Sequence, residues 1–282
     1  MDTVSASSAS LIRKQLPGRP ESMSAIGMGT WITFDVPQGV SSRDQRTEVL
    51  QTFFDMGGEM VDSSPMYGQA EDLLGYALAR TQNNNNLFAA SKIWTPLAFD
   101  GRTQMRNTEE LWRVKPMDLM YVHNLLNWES HLPQLQEWKD EGRVAYTGLT
   151  TSHGRRHAEL EKLLKQQTLD FVQLTLNIDN IEAEKKLIPL AADHGVAVVV
   201  NRPFSRGALI RKYGSRPLPG VAKELGCETW SQFLLMYVIS HSSVTCAIPA
   251  TSSVAHMKEN MATLRLELPD EKLRSQMRAA VA

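Results

Sequence analysis

LFAASKI at residues 87–93, a helical pattern over Thr103–Lys115, and DLMYVH at residues 118–123 form one cycle that decides the fold. Both flanking runs are apolar for most of their length and close on polar side chains, Ser91-Lys92 in the first and His123 in the second. Short runs of this kind suit parallel strands buried on both faces, and parallel neighbours need a crossover segment such as the helix between them. Outward from this cycle the cadence continues. Further strands are expected at Ser24–Gly29, Glu59–Ser63, Ala145–Thr150, Phe171–Leu176, Val196–Asn201 and Thr245–Pro249. Helical patterns fall between them at Arg43–Met56, Ala70–Arg80, His131–Asp140, Arg155–Lys165, Ala183–Asp193 and Thr229–Ser240.

Strand ends at Asp62, Lys92, His123 and Thr150 recur about every 30 residues, the size of a strand–helix unit. Eight such strands specify an α/β fold, a (β/α)8 TIM barrel. A doubly wound sheet would use about five or six. The gap from Asn201 to Pro249 is longer than the repeat and predicts an added loop or helix after the seventh barrel strand. Leu11–Leu16 followed by Pro17-Gly18 predicts a β-hairpin closing the barrel bottom. Residues 1–10, rich in Ser and Ala, read as a flexible tail, and residues 11–282 as a single barrel.

Composition narrows the function classes. The 282 residues carry 30 Lys and Arg against 31 Asp and Glu, a formal charge of −1. That balance argues against a general electrostatic grip on nucleic acid or an anionic membrane. No apolar run approaches the roughly 20 residues of a spanning helix, and the first ten residues have no signal-peptide core. Two cysteines, Cys227 and Cys246, build no disulfide framework and read as packing residues. The expectation is a cytoplasmic protein, with an earlier, removed targeting segment left open.

In barrels of this kind the chemistry sits at the carboxyl ends of the strands. Three consecutive strands bring Asp62 and Tyr67, then Lys92, then His123 to that rim. Paired with Asp62, a charged Lys92 is expected to favour the Tyr67 phenolate and lower its pKa from about 10. A phenol tuned in that way donates a proton to a carbonyl oxygen as negative charge develops, and His123 orients the same oxygen. A hydride donor would complete a carbonyl reduction. The residues alone also admit a non-redox enzyme with Lys92 as Schiff-base nucleophile, a lyase or isomerase, although ion pairing makes a lysine a poor nucleophile. They admit, too, a cofactor-sensing binding module.

The chain resembles the aldo-keto reductases from Leu11 to about Met277. The matching stretches are Gly27–Trp31, Val61–Gly68, Ser91–Trp94, Asp118–Asn124 and Ile248–Ser252. The resemblance implies catalytic Asp62, Tyr67, Lys92 and His123, reduction of an aldehyde or ketone without a metal, and NADPH as cofactor, with NADH the alternative. It also implies cofactor contacts. Gly29, Thr30 and Trp31 are among them, and Thr150, Thr151 and Gln173 meet the nicotinamide carboxamide. The turn Asn201-Arg202-Pro203-Phe204-Ser205-Arg206-Gly207 wraps the pyrophosphate. Thr251, Ser252 and Ser253 open a helix suited to phosphate, and His256, Glu259 and Asn260 reach the adenosine end.

The chain departs from the family pattern at several positions. Asn201 stands where many members stack an aromatic ring on the nicotinamide, and Asn124 replaces an aromatic after the catalytic His. Ala250 and His256 stand where many NADPH-dependent members carry basic residues. The final helix after Leu268-Pro269-Asp270 is followed by no long loop, so an open mouth is expected, lined by Trp31, Phe34, Trp94, Asn124, Leu125 and Trp128. A small-molecule carbonyl substrate is the expected partner, and the oligomeric state is not legible.

Other signals are set aside. His153 and His157 share a helical spacing but lack a third ligand nearby, so no metal site is expected. Gly27-Met28-Gly29 opens like a dinucleotide fingerprint, yet Ile32 occupies the position of its third glycine. The apolar stretch Phe233–Val238 reads as a core helix.

Overall fold

A computed structural model describes residues 10–281, so the expected 1–10 tail lies outside the described residues except for Ser10. Strands β1 (Arg13–Gln15) and β2 (Ser22–Ser24) pair antiparallel, with Arg13 opposite Ser24. Eight parallel strands follow among the described residues: β3 (Met28–Gly29), β4 (Met60–Asp62), β5 (Phe88–Ile93), β6 (Met117–Val122), β7 (Val144–Thr150), β8 (Phe171–Thr175), β9 (Ala197–Asn201) and β10 (Cys246–Ala247). They pair in chain order from β3 to β10. The ring closes through Gly27 N–H to Ala247 O at 2.8 Å and Gly29 N–H to Pro249 O at 3.1 Å. This is the expected barrel.

The hairpin seals the lower end. Leu16 and Met23 join Met60, Ala90, Leu119 and Phe171 in a cluster that fills the barrel interior. Arg13 pairs with Glu59 at 2.6 Å, and Arg19 pairs with Asp170; both acids stand just before barrel strands. Ser24, read in the sequence as the start of the first barrel strand, belongs to the hairpin instead. The first barrel strand is accordingly short.

Helices α1 (Val40–Asp55), α2 (Ala70–Leu78), α3 (Ala98–Trp112), α4 (Trp128–Asp140) and α5 (His157–Gln166) cover the outside. The expected helix over 183–193 is broken at Lys186 into α6 (Glu182–Lys185) and α7 (Leu187–Asp193). The extra length after β9 holds α8 (Ala208–Tyr213) and α9 (Gly220–Glu224) before α10 (Trp230–Ile239). The chain ends in α11 (Val254–Ala262) and α12 (Glu271–Ala279). Thr229, Ser253 and Asp270 cap α10, α11 and α12 by accepting N–H groups three residues on, as short polar side chains do at helix starts. Every residue of α10 except Ser231 is buried, as the apolar run from Phe233 to Ile239 predicts.

Two concentric layers result. Val61, Ala89, Ile93, Met120, Val122 and Leu149 point outward into the strand–helix layer. Their alternates Met60, Phe88, Ala90, Leu119, Tyr121 and Tyr146 point into the barrel.

Candidate active site

The same alternation carries polar side chains to the barrel mouth. Counting by twos along the inward faces leads from Met60 to Asp62, from Phe88 and Ala90 to Lys92, and from Phe171 to Gln173. On the neighbouring strands it leads from Tyr146 to Thr150 and from Ala197 and Val199 to Asn201. These positions form the top interior layer at the carboxyl ends of the strands, the face on which barrel enzymes build their sites.

Lys92 is fully buried and donates to Asp62 Oδ1 at 2.6 Å and to Ser63 O at 2.6 Å. Its ammonium lies 5.0 Å from the centre of the Tyr67 ring. Tyr67 in turn meets His123 edge-on, with ring centres 5.8 Å apart, and Trp31 at 6.4 Å. The four expected catalytic residues are therefore together. Asp62, Tyr67 and His123 line a cleft of about 540 Å³, whereas Lys92 lies behind them and contributes no surface.

Electrostatics corrects one expectation. Burial raises the Tyr67 phenol above its ordinary value, with Asp62 adding to the rise, and together they outweigh the opposing pull of Lys92 and Arg202. The phenol is not lowered below 10; it stays protonated at neutral pH and is held as a donor. Burial pulls the Lys92 ammonium toward the neutral amine, but Asp62 and Tyr67 overcome it and hold the group charged. Burial likewise lifts the Asp62 carboxyl, against Lys92 and Gln173.

Burial, and then the charge of Lys92, drive His123 well below the usual histidine value, so its imidazole is neutral. Nδ1 lies 3.1 Å from Ser64 Oγ, which itself accepts the Met66 N–H. Ser64 is thus free to give its own proton to Nδ1, leaving Nε2 as the ring N–H available to a ligand.

A polar chain missed by the sequence reading supports this floor. Gln173 Nε2 donates to Asp62 Oδ2 at 2.9 Å, and Gln173 Oε1 accepts from Asn201 Nδ2 at 3.3 Å. Asn201 also donates to Thr151 O and accepts from Thr175 Oγ1. Where a stacking ring was expected to be missing, Asn201 ties three strands together, and Gln173 spends its amide on orienting Asp62.

The expected cofactor residues divide between two connected hollows. Gly29, Thr30, Trp31, Thr150, Thr151, Gln173 and the turn residues Asn201–Phe204, Arg206 and Gly207 line the cleft, while Ser205 does not. A second groove of about 700 Å³ shares Phe204, Gly207 and Ala250 with the cleft and runs along Thr251, His256, Glu259 and Asn260. Ser252 and Ser253 stay outside it. The lining of the two hollows suits a dinucleotide. Thr151 Oγ1 is buried at the cleft wall with no hydrogen-bond partner among the described residues, open to a carboxamide. The second groove contains Arg211 and Arg216, absent from the sequence reading, which offer guanidinium groups where Ala250 has none, alongside the carboxylates of Glu228 and Glu259. A run of basic residues after Arg206 was the available signal.

The expected substrate wall is partly revised. Trp31 and Asn124 line the cleft. Phe34 and Leu125 do not, being fully buried in the outer core. Phe34 is folded under by the turn in which its N–H meets Thr30 O at 3.0 Å. Trp128 packs against the same core, and its indole N–H goes to Glu159 at 3.1 Å. Trp94 is 41% exposed and stands outside the cleft. Ile32, Met66 and His153 take part in its place. Among the described residues no cluster of three or more His, Cys, Asp or Glu side chains is arranged to hold a metal, and no helix is long and apolar enough to cross a membrane.

The profile of the aldo/keto reductase family matches residues 25–279. The chain belongs to the aldo/keto reductase family. It is an oxidoreductase of that family, whose members carry out NAD(P)-dependent carbonyl reduction. Among similar proteins is pyridoxine 4-dehydrogenase from Escherichia coli (strain K12), 34% identical over 246 residues and covering 80% of this chain and 83% of the relative. Another is the NADP-dependent D-sorbitol-6-phosphate dehydrogenase of Malus domestica, 24% identical over 287 residues and covering 88% of each chain. Of the solved structures, the thermostable aldo-keto reductase Tm1743, in complex with the inhibitor epalrestat, superposes with a TM-score of 0.80 at 26% identity. The alignment covers 96% of this chain and 100% of that one.

Proposed function

We propose that this chain reduces an aldehyde or ketone to an alcohol with NADPH, and that Tyr67 delivers the proton. One observation carries the reading: a neutral, half-buried phenol stands beside a charged Lys92 and a neutral His123 at the floor of a cleft that opens into a groove holding Arg211 and Arg216. When bound, NADPH supplies the hydride. Thr150 and Thr151 would hold its carboxamide end, since the Gln173 amide is taken by Asp62 and Asn201. Arg206 and the backbone around it in the 203–207 part of the turn would hold its phosphates, and Arg211, Arg216 and His256 the phosphate on its adenosine ribose. The Malus relative is NADP-dependent by name, and the guanidinium groups of Arg211 and Arg216 support the same preference here.

The chain's own groups do the rest. His123 donates its free ring N–H to the carbonyl oxygen and fixes its direction. Tyr67 gives its proton to that oxygen as charge builds there. Lys92 stabilises the phenolate left behind, and Asp62, steadied by Gln173, keeps Lys92 charged. A Schiff base on Lys92 has little support, because the amine is ion-paired and does not reach the cleft.

Tyr67→Phe removes the donor and leaves the ring in place. Its turnover of a model aldehyde should fall by about 10²–10⁴-fold, with NADPH still quenching protein fluorescence at the wild-type concentration. Wild-type turnover in that variant would dismiss the role. Parallel titration with NADH checks the phosphate preference, and equal affinity for both cofactors would dismiss it.

A further inference from the structure

The cleft's charges do not balance. Asp62 is the one carboxylate in its lining among the described residues, and Lys92 already holds it. Arg202 and Arg206 line the same cleft, and their guanidinium carbons stand 5.3 and 4.5 Å from the centre of the Trp31 ring. Burial pushes Arg202 down to about 10, and the charges acting on it are those of Arg206, Tyr67 and Arg155; none is a carboxylate. His153, in the same wall, is held below its ordinary value by burial and then by these three arginines.

Two cations held beside one indole, with a third nearby and no acid between them, repel one another until an anion arrives. The backbone is committed to this placement. Arg202 adopts a left-handed φ of +55°, uncommon without glycine, and Asn177 secures its carbonyl at 3.1 Å. Arg206 is exposed on the side of the phosphate-binding turn. Arg202 is half-buried and close enough to feel the Tyr67 phenol. Depth in the cleft wall distinguishes it from the exposed Arg206: the deeper guanidinium is the one placed for the molecule whose carbonyl faces Tyr67.

We propose that Arg202 is a specificity-determining residue that receives an anionic group, a carboxylate or a phosphate ester, carried by the carbonyl substrate, with Arg206 left for the cofactor's phosphates. The inference rests on the reductase reading above and deepens it. A guanidinium offers two parallel N–H groups to either anion, and such pairs are stronger than neutral hydrogen bonds.

Matched substrates test it, with NADPH saturating. The carboxylate arm compares kcat/KM for 4-carboxybenzaldehyde with that for methyl 4-formylbenzoate. The phosphate arm compares glyceraldehyde 3-phosphate with glyceraldehyde. The wild type should favour the charged member of at least one pair by about tenfold or more. Arg202→Gln should lose that ratio, mainly through KM, and Arg202→Lys should regain part of it. Because each ratio is taken within one variant, any change in cofactor affinity cancels. Parity in both pairs for the wild type overturns the proposal, and so does an unchanged ratio in R202Q accompanied by a weaker NADPH titration, which would make Arg202 a cofactor clamp. Should R202Q fail to fold, the wild-type ratios together with R202K decide. Absence of turnover on the neutral aldehydes would instead strike the reductase reading itself.

Discussion

Asp62 and Lys92 both surrender their water on folding, and neither could do so without the other. With Lys92 fully buried, removing one partner leaves an uncompensated charge in the barrel, a loss of about 3–5 kcal/mol in comparable sites. Asp62→Asn and Lys92→Met are each expected to destabilise the protein by about that amount. The double variant carries no stranded charge and should lose clearly less than the two singles together. All three should lack turnover, because Tyr67 no longer faces an anchored cation. Urea denaturation of the four proteins reads the coupling, and strict additivity would show that the charges do not sense each other. Asp62, Lys92 and His123 were legible because each stands at the end of an apolar run, and Tyr67 because it follows Asp62 in the stretch Val61–Gly68. The direction of the Tyr67 shift was not, since it depends on how deeply the ring is buried. Nor was the chain from Asp62 through Gln173 to Asn201, whose members are far apart in sequence and meet only across strands.

Elements in this barrel are set by how closely backbones approach, which is why their number was easier to read than their edges. At Gly75 a Cβ would fall 1.7 Å from the backbone O of Leu111, so α2 and α3 touch through the glycine. Gly75→Ala cannot be relieved by a rotamer change and should cost about 3 kcal/mol by overpacking. A urea midpoint indistinguishable from wild type would show that α3 slides freely. Apolar periodicity revealed the strands and most helices. It was silent for first turns whose side chains face solvent, so α1 and α3 begin earlier than the pattern suggested, with Val40 and Phe99 exposed. It was silent, too, for the break at Lys186, which follows from Pro189 in the first turn of α7: the proline has no N–H for the Lys185 carbonyl and crowds it. Phe34 and Leu125 looked like wall aromatics and aliphatics for the mouth. Turns that no local pattern encodes tuck both of them into the core.

At the scale of the whole molecule, the hairpin closes one end of the barrel and the opposite end gathers neutral and charged groups in a dry mouth, so global stability responds to the protonation of that mouth. His123 is the clearest case. Burial, then Lys92, hold its folded pKa well below the usual 6.5. An unfolded chain takes up a proton near 6.5, whereas the folded chain resists until lower pH. The contribution is therefore complete above about 6.5 and is lost as pH falls through the unfolded value toward the folded one. Burial shifts His241 and His157 the same way, while the raised carboxyls of Asp62, Glu71 and Asp118 act in the opposite sense. Only a difference between variants isolates one group from this mixture. His123→Gln keeps a polar amide at the site and cannot titrate. Between pH 7.5 and 5.5 the wild type should lose about 1.4 kcal/mol more than this variant, measured by urea denaturation at each pH. Equal losses would mean that His123 takes up its proton as readily folded as unfolded, and the neutral imidazole assigned to the cleft would have to be abandoned.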